Sequence, residues 1–523
     1  MEIIKKREEY MKKILQKIKN IDIKYLHIAL IVLGSIFILL SAFHTNLWFD
    51  ESYSVGLANH SFCEIWTIDK NDVHPVLYYW VLHVLNLIFG NNIIIYRLFS
   101  VLCTVLLGVI GYTHVRKDFG EKAGILFSFF AFFLPPNLIY SGEIRMYSMA
   151  MLIVFLAFIY AYRIHKDNSK NINEINIKNW ILFGVFSLTS AYTHYYALMA
   201  AGIINLVLMI ILIKNSIKNK KISKNLKAFF ICAVIQVGMY MPWLITFIKQ
   251  LAGTSGGFWI GVHFPATFID LLTFCFTGNL TDSGTIYINV VISIIWSYDI
   301  IRYLIFLATK NKNEEEKRKL NPAFWAISLF GAVMLGAVIV SLVMWQSIVY
   351  ARYMLCILGM LMLFMSIVMT VKGDKKINAL MCIICVIMSL YVNINLINTN
   401  YDEENFKPIN YITEDIKQDD IFLVDDKLSG ISISVRYEDN ISYFYNRGHW
   451  GVDEAYKAFA KDFRTVLNYD FLNEFSGRIW IISTDDNRIL DEVEEEYNVI
   501  VIKQEMFKTK YKNQQYAISL VEK

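Results

Sequence analysis

Two acidic clusters lie at the ends of apolar segments, where charged side chains are available for chemistry. The first is Asp50-Glu51, and the second, Asp72 with His74, follows 22 residues later beside Pro75. Two carboxylates that converge can divide the work of catalysis: one acts as general base, and the other orients an acceptor or helps to bind a divalent cation. Taken alone, Asp50-Glu51 is also explained as a solubilising helix end.

Two arginines occupy similar positions further along the chain. Arg145 lies two residues after Glu143, and Arg352 follows another apolar segment. An arginine at membrane depth is costly without a partner, and a guanidinium group matches phosphate oxygens in a bidentate way. We therefore predict an anion-binding cavity suited to phosphate, although a plain Glu143–Arg145 ion pair is the alternative.

The composition defines the environment of these side chains. The chain has 523 residues, of which 56% are hydrophobic and 18% are charged. Apolar runs of about 20 residues, the length that crosses a bilayer, recur from Tyr25 to Asn398. They predict a polytopic α-helical membrane protein with about eleven transmembrane helices, near residues 25–43, 95–115, 123–140, 147–164, 179–194, 196–213, 227–247, 285–308, 323–345, 350–371 and 377–398. A net charge of +4 from scattered lysines gives no reason to expect a nucleic-acid partner.

The lysines and arginines predict the orientation in the membrane. Alternate connecting segments are rich in them, which places those segments and the basic amphipathic stretch 1–24 in the cytoplasm. Loop 44–94 and the other acidic and arginine-bearing ends then lie on the outer face. Within loop 44–94 we expect an interfacial helix after Pro75, and a second such helix near Phe264–Phe276. An odd number of spans places the C-terminal domain outside as well.

The segment 401–523 has the composition of a small soluble domain. Alternating helical and β-rich stretches predict an α/β fold for it. The predicted strands are Ile421–Val424, Ile431–Val435, Ile479–Ser483, Val499–Ile502 and Ala517–Val521, and the predicted helices are Ile409–Lys417, Asp453–Phe475 and Ile489–Tyr497. No glycine-rich nucleotide motif is present in this segment.

The charged motifs resemble the successive signatures of the bacterial family 39-type glycosyltransferases, which include the protein mannosyltransferase-like and aminoarabinose transferase-like membrane enzymes. The motifs are Phe49-Asp50-Glu51-Ser-Tyr, Asp72-Val-His74-Pro75-Val-Leu-Tyr78-Tyr79, Glu143-Ile-Arg145-Met-Tyr147 and Ala351-Arg352-Tyr353. Their order agrees with the family over residues 25–400. The chain departs from the usual His-Pro-Pro by having Val76 as the third residue.

The resemblance implies the C-type glycosyltransferase fold, a polyprenyl-phosphate sugar donor, and inversion at the anomeric carbon. It assigns Asp50 as catalytic base with Glu51 beside it, and Asp72 as a second acid that is linked to a divalent metal ion in some relatives. Arg145 and Arg352 would hold the donor phosphate, with His74 as a helper. The residues that would line the substrate site are Tyr78, Tyr79, Glu143, Tyr147 and His194, although tyrosine is also the ordinary residue of a membrane interface.

The acceptor would be a hydroxyl of a glycan, lipid or protein on the outer face of the cell membrane. Three other functions remain open at this point: a transporter or flippase for a lipid-linked saccharide, a polysaccharide polymerase or ligase, and a non-catalytic scaffold. Transporters commonly place charge near the bilayer midplane in repeated halves. Here the ionisable residues cluster at segment ends, which favours the transferase.

Overall fold

The computed structural model describes residues 22–254, 266–278, 286–308, 314–371, 373–425, 428–446, 453–484 and 486–523. The predicted basic segment 1–24 lies almost entirely outside these residues, so it stays a prediction. Residues 22–400 form a helical bundle, and residues 401–523 form a small domain built on a β-sheet.

The bundle confirms a polytopic membrane protein. Its helices are Ile23–Leu39, Phe49–Ala58, Phe62–Asp69, Leu77–Phe89, Ile93–Ile110 (continuing to Phe119), Glu121–Phe133, Pro135–Ser141, Tyr147–Lys170, Ile177–Thr193, Tyr195–Lys218, Lys224–Thr254, Ala266–Thr277, Ile286–Ala308, Glu314–Met344, Leu355–Val371 and Lys375–Asn400. Within the described residues, eight helices are long and apolar enough to cross a bilayer, or nine if one bent pair counts as a span. Each of the eleven predicted segments contains helix. The count of eleven stays a prediction, because Ile23–Leu39 and Ile177–Thr193 have only 17 residues each.

Two helices form the centre of the bundle. In the most apolar stretches of Tyr147–Lys170 and Ala351–Val371, 83% and 89% of the residues are buried, against 11% in Lys224–Gly253. The peripheral helix exposes an apolar surface that suits lipid, whereas the central helices bury theirs against protein. The two central helices begin next to Arg145 and Arg352, so the most rigid part of the bundle carries both arginines.

The predicted span 123–140 is broken. Helices Glu121–Phe133 and Pro135–Ser141 are bent by 54° at Leu134. Proline disfavours helical backbone in the residue before it, and Leu134 accordingly has extended angles (φ −77°, ψ 122°) ahead of Pro135 and Pro136. The bend leads the chain into the turn that carries Glu143 and Arg145.

Loop 44–94 folds into three short helices at one end of the bundle. They are Phe49–Ala58, Phe62–Asp69 and Leu77–Phe89. The second helix begins with a capping box between Ser61 and Glu64. The predicted helix after Pro75 is thus present, and so is a helix near Phe264–Phe276, which runs from Ala266 to Thr277.

The C-terminal domain contains a six-stranded sheet in the order β3-β2-β1-β4-β6-β5. The strands are β1 Ile421–Val424, β2 Ser442–Tyr445, β3 Phe463–Val466, β4 Arg478–Ser483, β5 Ile500–Lys508 and β6 Gln515–Glu522. The first four are parallel, and β6 pairs antiparallel with both β4 and β5. Helices Lys407–Thr413, Leu428–Ser434 and Arg488–Tyr497 accompany the sheet.

Two predictions for this domain were wrong. The predicted strand Ile431–Val435 lies mostly in helix Leu428–Ser434, which is buried on both sides, so its alternation of isoleucine and serine does not mark a solvent face. The serine hydroxyls are satisfied locally, as Ser432 and Ser434 each donate to the carbonyl three residues earlier. The predicted helix Asp453–Phe475 is α-helical only at its start, its middle pairs with β2 as strand β3, and residues Asp470–Asn473 form a short 3-10 helix.

Candidate active site

Asp50 lies where two arginines converge. It occupies the first turn of helix Phe49–Ala58, where a carboxylate is favoured by the helix dipole. Its Oδ2 is 3.3 Å from Nη1 of Arg352 and 3.9 Å from Nε of Arg145. The Asp50 side chain keeps 18% of its surface exposed, so it is reachable from outside. The structure therefore brings together three residues that are spread over about 300 positions of the sequence.

Arg145 is held from several directions in the turn between Ser141 and Tyr147. Its Nη1 donates to the main-chain oxygen of Asp50 (3.1 Å), to Oγ of Ser54 (3.3 Å) and to the hydroxyl of Tyr79 (3.5 Å). Nη2 lies 3.4 Å from Nε2 of His74. These contacts fix the guanidinium group in one orientation at 4% exposure, with its Nε still lacking a hydrogen-bond partner among the described residues.

Asp72 and His74 form a pair beside Arg145. Nδ1 of His74 is 2.9 Å from Oδ2 of Asp72. A guanidinium group can only donate hydrogen bonds, so Nε2 is placed to accept from Arg145 and Nδ1 to donate to Asp72. Burial alone would raise the pKa of Asp72, but His74 and Arg145 outweigh it and hold that pKa below its usual value. Asp72 is therefore an ionised carboxylate at neutral pH.

Arg352 is less constrained than Arg145. It lies in the short turn Ala351–Met354, and its guanidinium carbon lies 5.0, 5.7 and 6.0 Å from the ring centres of Tyr350, Trp48 and Tyr147. Aromatic faces attract a cation without using its N–H donors. Nε of Arg352 has no hydrogen-bond partner among the described residues, so this side chain has donors to offer a ligand.

Glu51 has a different environment from its neighbour. Its carboxylate is fully buried and binds Arg97 through Nη1 at 2.7 Å. It also accepts from the main-chain nitrogen of Ile144 (2.9 Å) and from the hydroxyl of Tyr511 (2.7 Å). Arg97 in turn donates to the carbonyl oxygens of His44, Asn46 and Gly142. A catalytic role for Glu51 stays a prediction, and these contacts support a positioning role instead.

Glu143 does not pair with Arg145 in the described structure. Its Oε1 binds Nζ of Lys512, from the C-terminal domain, at 3.0 Å, and its Oε2 has no hydrogen-bond partner among the described residues. The plain Glu143–Arg145 ion pair considered as an alternative is therefore absent, and Arg145 faces Asp50 and His74.

The remaining predicted substrate contacts divide into two groups. Tyr147 and His194 face the site, with their rings 5.7 Å apart, and the hydroxyl of Tyr147 has no partner among the described residues. The hydroxyl of Tyr79 accepts a hydrogen bond from Arg145 and so helps to position it. Tyr78 is fully buried and lies 3.4 Å from the hydroxyl of Ser100, so it acts as packing in this conformation rather than as a surface for ligand.

An apolar cavity opens beside the charged residues. Its volume is about 280 Å³, and it is lined by Val73, His74, His194, Tyr195, Tyr196, Leu198, Met199, Phe247, Gln250, Leu251, Val340, Ile348 and Tyr353. His74 belongs both to this cavity and to the Arg145 network. A ligand with an anionic head and an apolar tail therefore finds both environments side by side.

Sequence reasoning missed Asp69 and Tyr53. Asp69 is fully buried, and neither of its carboxylate oxygens has a hydrogen-bond partner among the described residues; the hydroxyl of Tyr53 also lacks one. Burial raises the pKa of Asp69 well above its usual range, Asp72 adds to the effect and Arg145 opposes it. Asp69 is the last residue of helix Phe62–Asp69, and no sequence motif marked it as buried.

A divalent metal ion at Asp72 stays a prediction. Among the residues that the structure describes, no group of three or more His, Cys, Asp or Glu side chains converges. Asp50 contacts two arginines, and Asp72 contacts His74.

The bundle, the broken helix and the appended sheet domain define a membrane protein with the C-type glycosyltransferase fold. The comparison with solved structures supports this assignment: ArnT from Cupriavidus metallidurans in the apo state matches with a TM-score of 0.60 and 9% identity, over 94% of this chain and 97% of that chain. ArnT bound to undecaprenyl phosphate matches with a TM-score of 0.59 and 9% identity, over 95% and 97%. No protein-family model and no curated protein sequence matches. The likeness confirms the fold predicted from the motifs.

Proposed function

We propose that this chain transfers a sugar from a polyprenyl-phosphate donor to an acceptor hydroxyl, with inversion at the anomeric carbon. The observation that carries the proposal is the convergence of Arg145 and Arg352 on Asp50 at the mouth of an apolar cavity. The arginines suit the phosphate and the cavity suits the prenyl chain. The ArnT structure bound to undecaprenyl phosphate supports this class of donor.

The unpaired polar atoms of the site support a sugar as the transferred group. A buried polar atom without a hydrogen bond is costly, so several close together indicate a polar ligand. Those in the described site are the hydroxyls of Tyr53 and Tyr147, both carboxylate oxygens of Asp69, Nε of Arg145, Nε of Arg352 and Oε2 of Glu143. They offer both donors and acceptors, as the hydroxyls of a sugar require.

In the proposed reaction, Asp50 takes the proton of the acceptor hydroxyl as the acceptor oxygen attacks the anomeric carbon. The bond from that carbon to the phosphate oxygen breaks, and polyprenyl phosphate leaves with one more negative charge. Arg352 and Arg145 stabilise this developing charge. Before donor binds, Asp50 is itself the anion beside Arg352; the donor phosphate takes that place and frees the carboxylate to act as base.

The proposal places the site on the outer face of the cell membrane, with the N-terminus in the cytoplasm and the C-terminal domain outside. The basic connecting segments support this orientation. It lets a lipid-linked donor and an external acceptor meet at the membrane surface.

Mass spectrometry of lipid-linked and surface glycans in cells with wild-type protein or Asp50→Asn tests the function, whichever sugar is transferred. We expect the variant to accumulate a polyprenyl-phosphate sugar and to lack one glycan modification, with the rate of transfer reduced by about 10²–10⁴-fold. The purified variant should fold normally and bind undecaprenyl phosphate at least as tightly as wild type. Identical glycans in both strains, or movement of lipid-linked sugar across vesicles without product, would overturn the proposal.

A further inference from the structure

The C-terminal domain inserts one turn into the candidate active site. This turn, between β5 and β6, carries Tyr511 and Lys512. The hydroxyl of Tyr511 donates to Glu51 at 2.7 Å, and the ring of Tyr511 lies 5.2 Å from that of His44. Nζ of Lys512 binds Glu143 at 3.0 Å. Two consecutive residues of one domain thus bind two carboxylates of the other.

The backbone of the turn is held in a costly conformation. Lys512 and Asn513 have φ values of 54° and 51°, a left-handed region that residues other than glycine seldom adopt. Oδ1 of Asn405 accepts from the main-chain nitrogens of both Lys510 and Tyr511, at 2.9 and 2.8 Å. Strain of this kind is retained where the surrounding contacts fix it, and it concentrates at functional positions.

Lys512 shares an aromatic platform with Arg352. Nζ of Lys512 lies 4.7 Å from the ring centre of Trp48, and the guanidinium carbon of Arg352 lies 5.7 Å from the same centre. Glu143 lies within electrostatic range of Arg352. It is 5% exposed, and its second oxygen is unpaired among the described residues. Without Lys512, Glu143 would leave an uncompensated negative charge beside the arginine that the proposed donor phosphate needs.

We propose that Lys512 is a positioning residue that neutralises Glu143, so that the anion-binding site is complete only when the C-terminal domain is docked. This inference rests on the proposed function, in which Arg352 accepts the donor phosphate. Further contacts hold the domains together, among them the hydrogen bond from Oγ of Ser52 to the carbonyl of Ser432 at 3.0 Å and the one from Arg436 to the carbonyl of Thr45. Docking therefore does not depend on Lys512 alone.

The test measures binding of undecaprenyl phosphate to the purified full-length protein in nanodiscs. Lys512→Met keeps the length of the side chain over Trp48 and removes its charge. We expect its affinity for undecaprenyl phosphate to fall on the order of tenfold, with KM for donor rising and kcat little changed. Lys512→Arg should bind as wild type does. Lys510→Met is the matched control, because it removes the same charge from the same turn but its partner is Asp402.

The double variant Glu143→Gln/Lys512→Met separates neutralisation from the other roles of Lys512. If Lys512 compensates Glu143, removal of both charges restores most of the lost affinity. An unchanged affinity in Lys512→Met, or no recovery in the double variant, would overturn the inference. Failure of the proposed function would look different from failure of this inference. If the proposed function is wrong, wild type and Lys510→Met would not bind undecaprenyl phosphate and would not transfer sugar.

Discussion

Two neighbouring carboxylates show how one short helix serves two purposes. Asp50 and Glu51 are adjacent in sequence, and adjacent residues point about 100° apart around a helix. Glu51 and Arg97 form a closed pair at 2.7 Å with side-chain exposures of 0% and 2%, whereas Asp50 and Arg352 form an open pair at 3.3 Å with exposures of 18% and 15%. The closed pair fastens the loop to the bundle and the C-terminal domain. The open pair is accessible to a ligand.

The closed pair should dominate stability, and this is the largest effect we expect. Removal of one partner from a buried ion pair leaves an uncompensated charge and costs about 3–5 kcal/mol. Arg97→Ala should therefore destabilise the protein by that amount, since Glu51 would be left buried beside the carbonyl oxygens that Arg97 now binds. Denaturant titration of the purified protein in detergent measures it.

Arg352→Ala is the matched control for this experiment, because it makes the same truncation in the open pair. It should lower stability far less than Arg97→Ala does. Equal losses in the two variants would contradict the division into a closed structural pair and an open binding pair.

The open pair should dominate ligand binding, and the loss of binding free energy in Arg352→Ala should be smaller than the loss of stability in Arg97→Ala. A hydrogen bond to a charged group contributes about 1.5–3 kcal/mol, so Arg352→Ala should weaken binding of undecaprenyl phosphate by roughly 10–150-fold. Binding to the full-length variant in nanodiscs measures the loss. If affinity stays within twofold of wild type, Arg352 has no part in holding phosphate.

The sequence indicated the residues of the open pair better than the contacts of the closed one. Asp50, Arg145 and Arg352 each follow or precede an apolar segment, and the orientation of the segments brings such ends together. Glu51 lies in the same motif, but its partners Arg97 and Tyr511 are 46 and 460 residues away, and no local pattern marks either contact. No local pattern marks Lys512 either, because its partner Glu143 lies in the other domain.

The fold shows the same limit. Long apolar runs predicted the helices of the bundle because the bilayer imposes their length and composition. In the C-terminal domain, the secondary structure of short segments depends on what they pack against. Residues Phe463–Val466 form strand β3 by pairing with β2, and residues Leu428–Ser434 form a helix that packs between the sheet and helix Phe49–Ala58. Local propensity does not determine either outcome.

Asp69 and Asp72 extend the comparison to two acids with opposite titration behaviour, and the smallest effect per pH unit is expected here. The pKa of Asp69 is raised by burial, so the folded state keeps its proton while the unfolded state loses it near the usual value of 3.8. Stability from Asp69 is therefore lost as pH rises from that value towards the raised pKa. The lowered pKa of Asp72 affects stability only below its usual value of 3.8, where stability is lost as pH falls. Above pH 5, wild type should thus lose stability relative to Asp69→Asn, which carries no titrating proton, by at most about 1.4 kcal/mol per pH unit until pH reaches the raised pKa of Asp69. Thermal unfolding of both proteins at successive pH values measures the difference, and parallel curves would show that Asp69 is ionised in the folded protein.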